Sequence, residues 1–328
     1  MLGSARTTSS YLEGLKYFIS NSTINNIPRQ SVYNWIKSWN IPVIKPEVLP
    51  SPKTLYVMAD EKYIGSQDTV NDIMVKCFVT FEGIQQLSKG RKELINRRIF
   101  SCNEKNAWPK FMDYIASIYD FTKIDNIVLL GDGANWIKTG ISELKLAPNN
   151  NVSFRLCEFH FKQAINRITT DKDERKSLTT TFTTKGKTEF KNEVEELLEK
   201  YNHRKDKITK NLNYILNNYS NIKSMINSDI GSSMESHISH FIANTFSSRP
   251  KGFSNKTINH YLKLNDLKHN NYNIFDIYIN NKTGKIVQNK SSNINKKLKV
   301  SNIKKPDITV LTAGKRNWLY EIIHKIVN

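Results

Sequence analysis

The chain has 328 residues, with 49 Lys and Arg against 30 Asp and Glu, a net charge of +19 and a pI near 9.6. No run of 18 uncharged apolar residues occurs and no apolar core follows Met1, so neither a membrane span nor a signal peptide is expected. Cys77, Cys102 and Cys157 make no disulfide framework. A soluble, cytoplasmic protein is expected, and its charge points to a polyanion, most simply nucleic acid.

Residues 9–20 carry Tyr11, Leu15, Phe18 and Ile19, a short amphipathic pattern. After Asn25-Asn26, Pro28 opens a second helix whose Val32, Trp35, Ile36 and Trp39 recur at i, i+3, i+4 and i+7. Arg29, Gln30 and Lys37 lie off that stripe. Residues 1–41 therefore read as a helix-turn-helix-like DNA-binding segment. Pro42, Pro46, Pro50 and Pro52 make residues 42–53 a stiff linker.

From residue 54 the pattern becomes that of strands. Leu55-Tyr56-Val57-Met58-Ala59 is apolar and ends at Asp60. Residues 73–81 alternate with period two, and Glu93 to Cys102 is a third candidate strand. Trp108, Phe111, Met112, Ile115, Ile118 and Tyr119 have helical spacing and suit core packing. Ile127-Val128-Leu129-Leu130 is a run of four apolar residues closed by Gly131-Asp132-Gly133, as expected of a strand buried on both faces. Val152, Phe154 and Leu156 then alternate up to Cys157.

The order is three strands, a helix, a strand, a helix and a strand. An antiparallel meander followed by parallel additions predicts an α/β, ribonuclease-H-like mixed sheet over residues 54–262. Residues 171–230, charged and almost free of Gly and Pro, read as a helical insertion. The helix opened by Gly231-Ser232-Ser233 should turn Met234, Ile238, Phe241 and Ile242 to the core, with Glu235 flanking them. Residues 263–328 hold 13 Lys and Arg against 4 Asp and Glu, a basic Asn/Lys-rich tail with a terminal helix expected at 316–327.

Asp60 and Asp132 each close a buried strand, and Glu235 is placed to reach across the sheet. Three converging carboxylates repel unless cations neutralise them. Oxygen ligands suit Mg²⁺ or Mn²⁺. Two such ions about 3.5–4 Å apart serve phosphoryl transfer. The basic chain then suggests a nucleic-acid phosphodiester as substrate.

Three stretches carry a family resemblance: Tyr56-Val57-Met58-Ala59-Asp60-Glu61, Leu130 to Ile137, and Ser233 to His240 with Ser247-Ser248-Arg249-Pro250. Together they resemble the ISLre-type bacterial insertion-sequence transposases of the DDE group. The resemblance implies a ribonuclease-H-like catalytic domain, two divalent ions and DNA transposition. It carries the catalytic, metal-binding carboxylates onto Asp60, Asp132 and Glu235. DNA, as element ends and target, is the expected partner of a homo-oligomer, held by His237, His240, Arg249 and Lys251.

Cys157-Glu158-Phe159-His160 is similar to a C/D-x-x-H motif of related transposase groups. A structural or DNA-contacting His160 is preferred to zinc, which would need further ligands, with Cys102 the one remaining thiolate. Such transposases carry more chain upstream, so a truncated copy is also expected. Two alternatives to the transposase stay open: an inactive DNA-binding remnant, and a nuclease of the same fold that does not join strands.

Overall fold

The structure, a computed structural model, describes Asn34 and residues 38–281, apart from 90, 146–149, 229, 247–251, 275 and 278–280, and apart from the side chains of Glu235 and Ser239. Arg29, Gln30, Lys37, Arg249 and Lys251 lie outside the described residues, as do most of the expected helix-turn-helix and the tail beyond 281.

The fold is mixed α/β. The described residues form seven strands: β1 (Thr54–Ile64), β2 (Ile73–Phe81), β3 (Gly83–Ser88), β4 (Arg91–Ile95), β5 (Arg98–Cys102), β6 (Asn126–Gly131) and β7 (Asn151–Leu156). Five of them form one sheet in the order β5-β2-β1-β6-β7. β1 pairs antiparallel with β2 and β2 with β5, whereas β6 runs parallel to both β1 and β7. Val57, Met58, Ala59 and the whole run from Ile127 to Gly131 are buried, as the uninterrupted apolar sequences require of central strands.

The expected strand from Glu93 to Cys102 is two strands. Asn96, with φ of 50°, turns the chain between them. Arg91–Ile95 folds back on Gly83–Ser88 as a separate two-stranded hairpin, and Arg98–Cys102 alone joins the sheet.

Each face of the sheet carries its own core. On one face Leu55, Val57, Ala59, Ile127 and Leu129 meet the helix α1 (Ala107–Ala116), where Phe78 stacks on Phe111 at 4.3 Å. The short helices α2 (Asn135–Lys138) and α3 (Gly140–Glu143) follow β6 on this side, and α4 (Glu158–Ile168) follows β7. The expected insertion is helical: α5 (Lys172–Thr184), α6 (Lys187–Lys200), α7 (Lys205–Asn217) and α8 (Tyr219–Ile226). Asp171 caps α5 by accepting from the amides of Asp173 and Glu174. Phe182 joins the bundle, 4.7 Å from Phe161 and 4.8 Å from Tyr219.

The other face carries Met58, Val75, Cys77, Val79, Val128 and Leu130. It is covered by α9 (Met234–His237), a π-helical stretch (Ile238–Ala243), α10 (Asn244–Phe246) and α11 (Asn255–His269). Met234, Ile238, Phe241 and Ile242 are all buried there, in the orientation their spacing predicts. Trp39 and Ile41, at the start of the Pro-rich segment, pack into the same core. α11 runs through position 262, where the Asn- and Lys-rich composition begins, and it is anchored to β5. Asp266 accepts from the Ser101 amide at 2.8 Å and from its hydroxyl at 2.7 Å.

Candidate functional site

Asp60 lies within β1, and Asp132 is the first residue beyond the adjacent parallel strand β6. The last paired residues of parallel β1 and β6 are Met58 and Leu130, and each aspartate is two residues further on. Neighbouring strands lie about 4.8 Å apart. Both aspartates are half-buried at the carboxyl end of β6, where open α/β sheets expose their ligand sites.

Backbone geometry holds both in place. Asp60 Oδ1 accepts from the Glu61 amide at 2.8 Å. Asp132 Oδ1 accepts from the Ala134 amide at 2.8 Å, and its carbonyl accepts from the Tyr214 hydroxyl of the insertion at 2.7 Å. Gly133 adopts φ of +90°, a conformation glycine reaches without steric cost. A Cβ on Gly131 would lie 2.8 Å from Ile137 and 3.2 Å from the Ala59 carbonyl, so the strand end can approach β1 this closely only with glycine.

A third carboxylate adjoins the pair. Glu61 lies opposite Lys76 in the β1–β2 register. Its Oε2 accepts from the indole N–H of Trp136 at 2.6 Å. The Lys76 ammonium sits 5.4 Å over the Trp136 ring and donates to the carbonyls of Glu104 and Lys105. The Trp108 indole donates to the Trp136 carbonyl at 2.7 Å. Burial raises the Glu61 pKa and the Asp132 charge adds to the rise, while the Trp136 bond and Lys76 oppose it. Glu61 and Trp136 stood inside the motifs read from sequence, without a role; Lys76 stood outside them.

The helix bearing Glu235 lies on the Asp60 strand. The Ser233 amide meets the Met58 sulfur at 3.4 Å, one residue before α9 begins and two residues before Asp60 on β1. Ser232 hydrogen-bonds to Cys157, at the end of β7. The backbone thus brings the Glu235 segment against the same sheet end as the two aspartates. Among the described residues no group of three His, Cys, Asp or Glu forms a metal cluster. Asp60 and Asp132 carry oxygen donors of the kind a hard divalent cation takes.

Cys157 and His160 open α4. Burial raises the Cys157 thiol pKa, with the backbone of Phe159 and His160 and the Ser232 hydroxyl opposing the rise. The His160 Nδ1 is buried without a hydrogen-bond partner, and its ring meets Phe159 edge-on at 5.3 Å. Cys102 ends β5, at the opposite edge of the sheet from β7. It cannot join Cys157 and His160 around a zinc ion.

His237 and His240 gather with Arg97, Lys268 and His269, and His237 Nε2 also meets the Ser233 hydroxyl at 3.2 Å. His237 stacks on Phe241 at 5.0 Å, and the Arg97 guanidinium covers the same ring at 5.3 Å. Arg97 also donates to the His269 carbonyl at 3.1 Å. Burial, then the Arg97 and His240 charges, push the His237 pKa down to about 4. His269 is pushed down to about 4 by burial, then by Lys268, Arg97 and both histidines. His240 is exposed. This basic, aromatic cluster joins three distant parts of the chain, a grouping with no signature in the linear sequence.

No helix of the described residues is long and apolar enough to cross a membrane. A family model described as "Uncharacterised protein family (UPF0236)" matches residues 3–281. Two UPF0236 proteins of Caldanaerobacter subterraneus subsp. tengcongensis are each 27% identical over 318 residues, 92% of this chain. The chain spans only 66% and 63% of their lengths. A third, 26% identical over 317 residues, bears a name that joins eleven locus designations. The matched region contains the whole sheet, and the chain belongs to the UPF0236 family.

Proposed function

We propose that this chain is a DDE transposase of the insertion-sequence type, built on a ribonuclease-H-like sheet. The observation that carries the reading is the level placement of Asp60 on β1 and of Asp132 just beyond the adjacent parallel strand β6, with the Glu235 segment seated on Met58 beside them. The meander β1-β2-β5 followed by parallel β6 and β7 agrees with that fold class. The charge of +19 suits a DNA substrate. A relative whose one name serves eleven loci fits a gene that has been copied about its genome.

In this reading Asp60, Asp132 and Glu235 hold two Mg²⁺ or Mn²⁺ ions. Such ions, when bound, activate the attacking oxygen and stabilise the leaving one in phosphodiester cleavage and strand transfer. The chain's own part is positional. The Asx turn at Asp132 and the Glu61 amide on Asp60 fix the two carboxylates before metal arrives. Glu61, tied to Trp136, supports the pair from the other side of β1.

The test is Mn²⁺-dependent cleavage of DNA carrying the element's ends. Wild type should cut and join, while Asp60→Asn and Asp132→Asn should lose cleavage by orders of magnitude and keep DNA binding. Cutting without joined products would favour a nuclease. DNA binding with no cleavage by wild type would favour an inactive remnant. Undiminished cleavage by both variants would overturn the site.

A further inference from the structure

On the face of the sheet that carries Met58, beyond the aspartates toward the other end of the strands, lies an open cavity of about 570 Å³. Tyr56, Arg155, Ser224, Asn227, Ser228 and Ile230 line it. Its volume falls within the roughly 300–1,000 Å³ of small-ligand sites.

Arg155 gives the cavity its chemistry. It projects from β7, paired in register with Leu130, and is half-buried. Its Nη1 donates to the Ser228 hydroxyl. That hydroxyl is itself fixed against Ile230, accepting from its amide and donating to its carbonyl at 3.2 Å each. The Arg155 Nε is buried with no hydrogen-bond partner. The ion pairs of the described residues, Lys53–Asp125, Lys110–Glu104, Lys123–Asp120, Lys162–Glu158, Lys191–Glu195 and Lys200–Glu174, do not include it.

A guanidinium has five N–H donors in a rigid fork. A bond to Ser228 accounts for one of them. A buried donor left without an acceptor costs about 1–3 kcal/mol. The Nε is closed off from the cavity, so a ligand there acts through the other guanidinium donors. Arg155 lines the cavity with guanidinium donors that Ser228 leaves unused, and Ser224 and Asn227 offer further donors from the exposed wall. Tyr56 is stacked on Phe81 at 5.0 Å and 16°, so its ring is held rigid while it lines the cavity. A planar fork beside hydroxyls and an amide matches the tetrahedral oxygens of phosphate better than a single carboxylate.

We propose that Arg155, with Ser224, Asn227 and Ser228, forms a binding pocket for a phosphate group. The phosphate comes either from a nucleic-acid backbone, with the flat Tyr56 ring beside the adjoining nucleoside, or from a free phosphate compound. The pocket needs neither Asp60 nor Asp132, so it stands or falls apart from the catalytic reading.

The full chain is titrated with orthophosphate by ³¹P NMR, and with a fluorescein-labelled 12-nucleotide single strand by anisotropy. Arg155→Lys keeps the charge and removes the fork, so contacts from the chain's general basicity are unchanged. The expected result is at least tenfold weaker binding in Arg155→Lys, with an unaltered melting temperature. Loss in both titrations supports the pocket with nucleic acid as the source. Loss with orthophosphate alone supports it with a free phosphate compound. Equal affinity of wild type and Arg155→Lys for both ligands, or no binding by wild type, overturns it. If Arg155→Lys melts early, the exposed pair Ser224→Ala with Asn227→Ala replaces it under the same criteria. Asp60→Asn should bind orthophosphate as wild type does, and a tenfold loss there would also overturn the proposal.

Discussion

The Trp136 indole donates to the Glu61 carboxylate across 2.6 Å, and this bond joins the strand that bears Asp60 to the segment that follows Asp132. Glu61 is the residue after Asp60, and Trp136 is the second residue of the short helix after the Asp132 turn. The two aspartates are therefore fixed relative to each other twice, once by the β1–β6 ladder and once across this carboxylate–indole contact.

Trp136→Phe should remove the second of these ties and leave the ladder in place. Glu61 would keep its half-buried charge near Asp132 and lose the donor that offsets it. Removing one partner of such a bond costs about 1–3 kcal/mol. Urea unfolding should register a loss of that size. Trp136→Phe combined with Glu61→Gln should recover part of it, because no charge is then left without its donor. A double variant no better than the single one would show that the indole acts through packing on Phe78 and Trp108 instead.

Gly133→Ala examines the turn itself. The backbone there has φ of +90°, and a Cβ would lie 3.0 Å from the Leu156 side chain. Strained backbone of this kind costs on the order of 1–3 kcal/mol. The expected outcome is a lowered melting temperature together with weaker Mn²⁺ binding, since the turn orients Asp132. Wild-type values for both would mean that the turn tolerates a side chain and does not set the carboxylate.

The central strands are legible in the sequence because Leu55–Ala59 and Ile127–Leu130 are apolar without interruption and stop at an aspartate. The period-two run at 73–81 also marks a strand, although Val75 to Phe81 are buried without alternation, and the helical spacing of Trp108, Phe111, Met112 and Ile115 is legible because burial repeats with the geometry of the helix. The β3–β4 hairpin is not, since Gln85, Gln86, Lys92 and Glu93 are exposed and supply no apolar alternation. The contact of Glu61 with Trp136 and the overlay of Lys76 depend on strand register and on the close approach of two chain segments. Arg97 meeting His237 and His269, and Arg155 meeting Ser228, are likewise products of tertiary packing that leave no local pattern.

Asp266 should make stability fall as pH rises. Burial is the largest cause of its shift and raises its pKa to about 8, while the two bonds from Ser101 oppose the rise. An unfolded aspartate titrates near about 3.9. Between about pH 4 and 8 the folded state holds this proton and the unfolded chain does not, so raising the pH through that window favours unfolding. Asp266→Asn mimics the protonated form: its carbonyl can accept from the Ser101 amide and its NH₂ can donate to the Ser101 hydroxyl. The variant should gain stability relative to wild type as pH rises from about 4 to 8. The downward shifts of His237 and His269 act in the opposite direction at acid pH, and they cancel in the wild-type-minus-variant difference. A difference that does not change with pH would mean that Asp266 titrates as an ordinary aspartate.

Glu235 is the carboxylate whose role rests most on backbone placement. Its helix starts one residue after Ser233, which is held on Met58, and Asp60 is two residues along the same strand. If Glu235 completes the metal set, Glu235→Gln keeps its size and removes its charge. Mn²⁺ affinity should then fall at least tenfold, with the fold intact, because Met234 and Ile238 still anchor the helix in the core. DNA binding should persist or tighten, since a negative charge facing phosphate is gone. Glu235→Asp should lose Mn²⁺ as well: shortening the arm by one methylene draws the oxygens back, and metal sites tolerate displacements of only about 0.5 Å. A surface residue with no ligand role would behave differently, with both variants within about 0.5 kcal/mol of wild-type stability and unchanged in metal binding. Measuring Mn²⁺ binding keeps the comparison decisive even for a chain that does not cut DNA. Equal Mn²⁺ affinity in wild type, Glu235→Gln and Glu235→Asp would remove Glu235 from the site and leave Asp60 and Asp132 to find their third partner elsewhere.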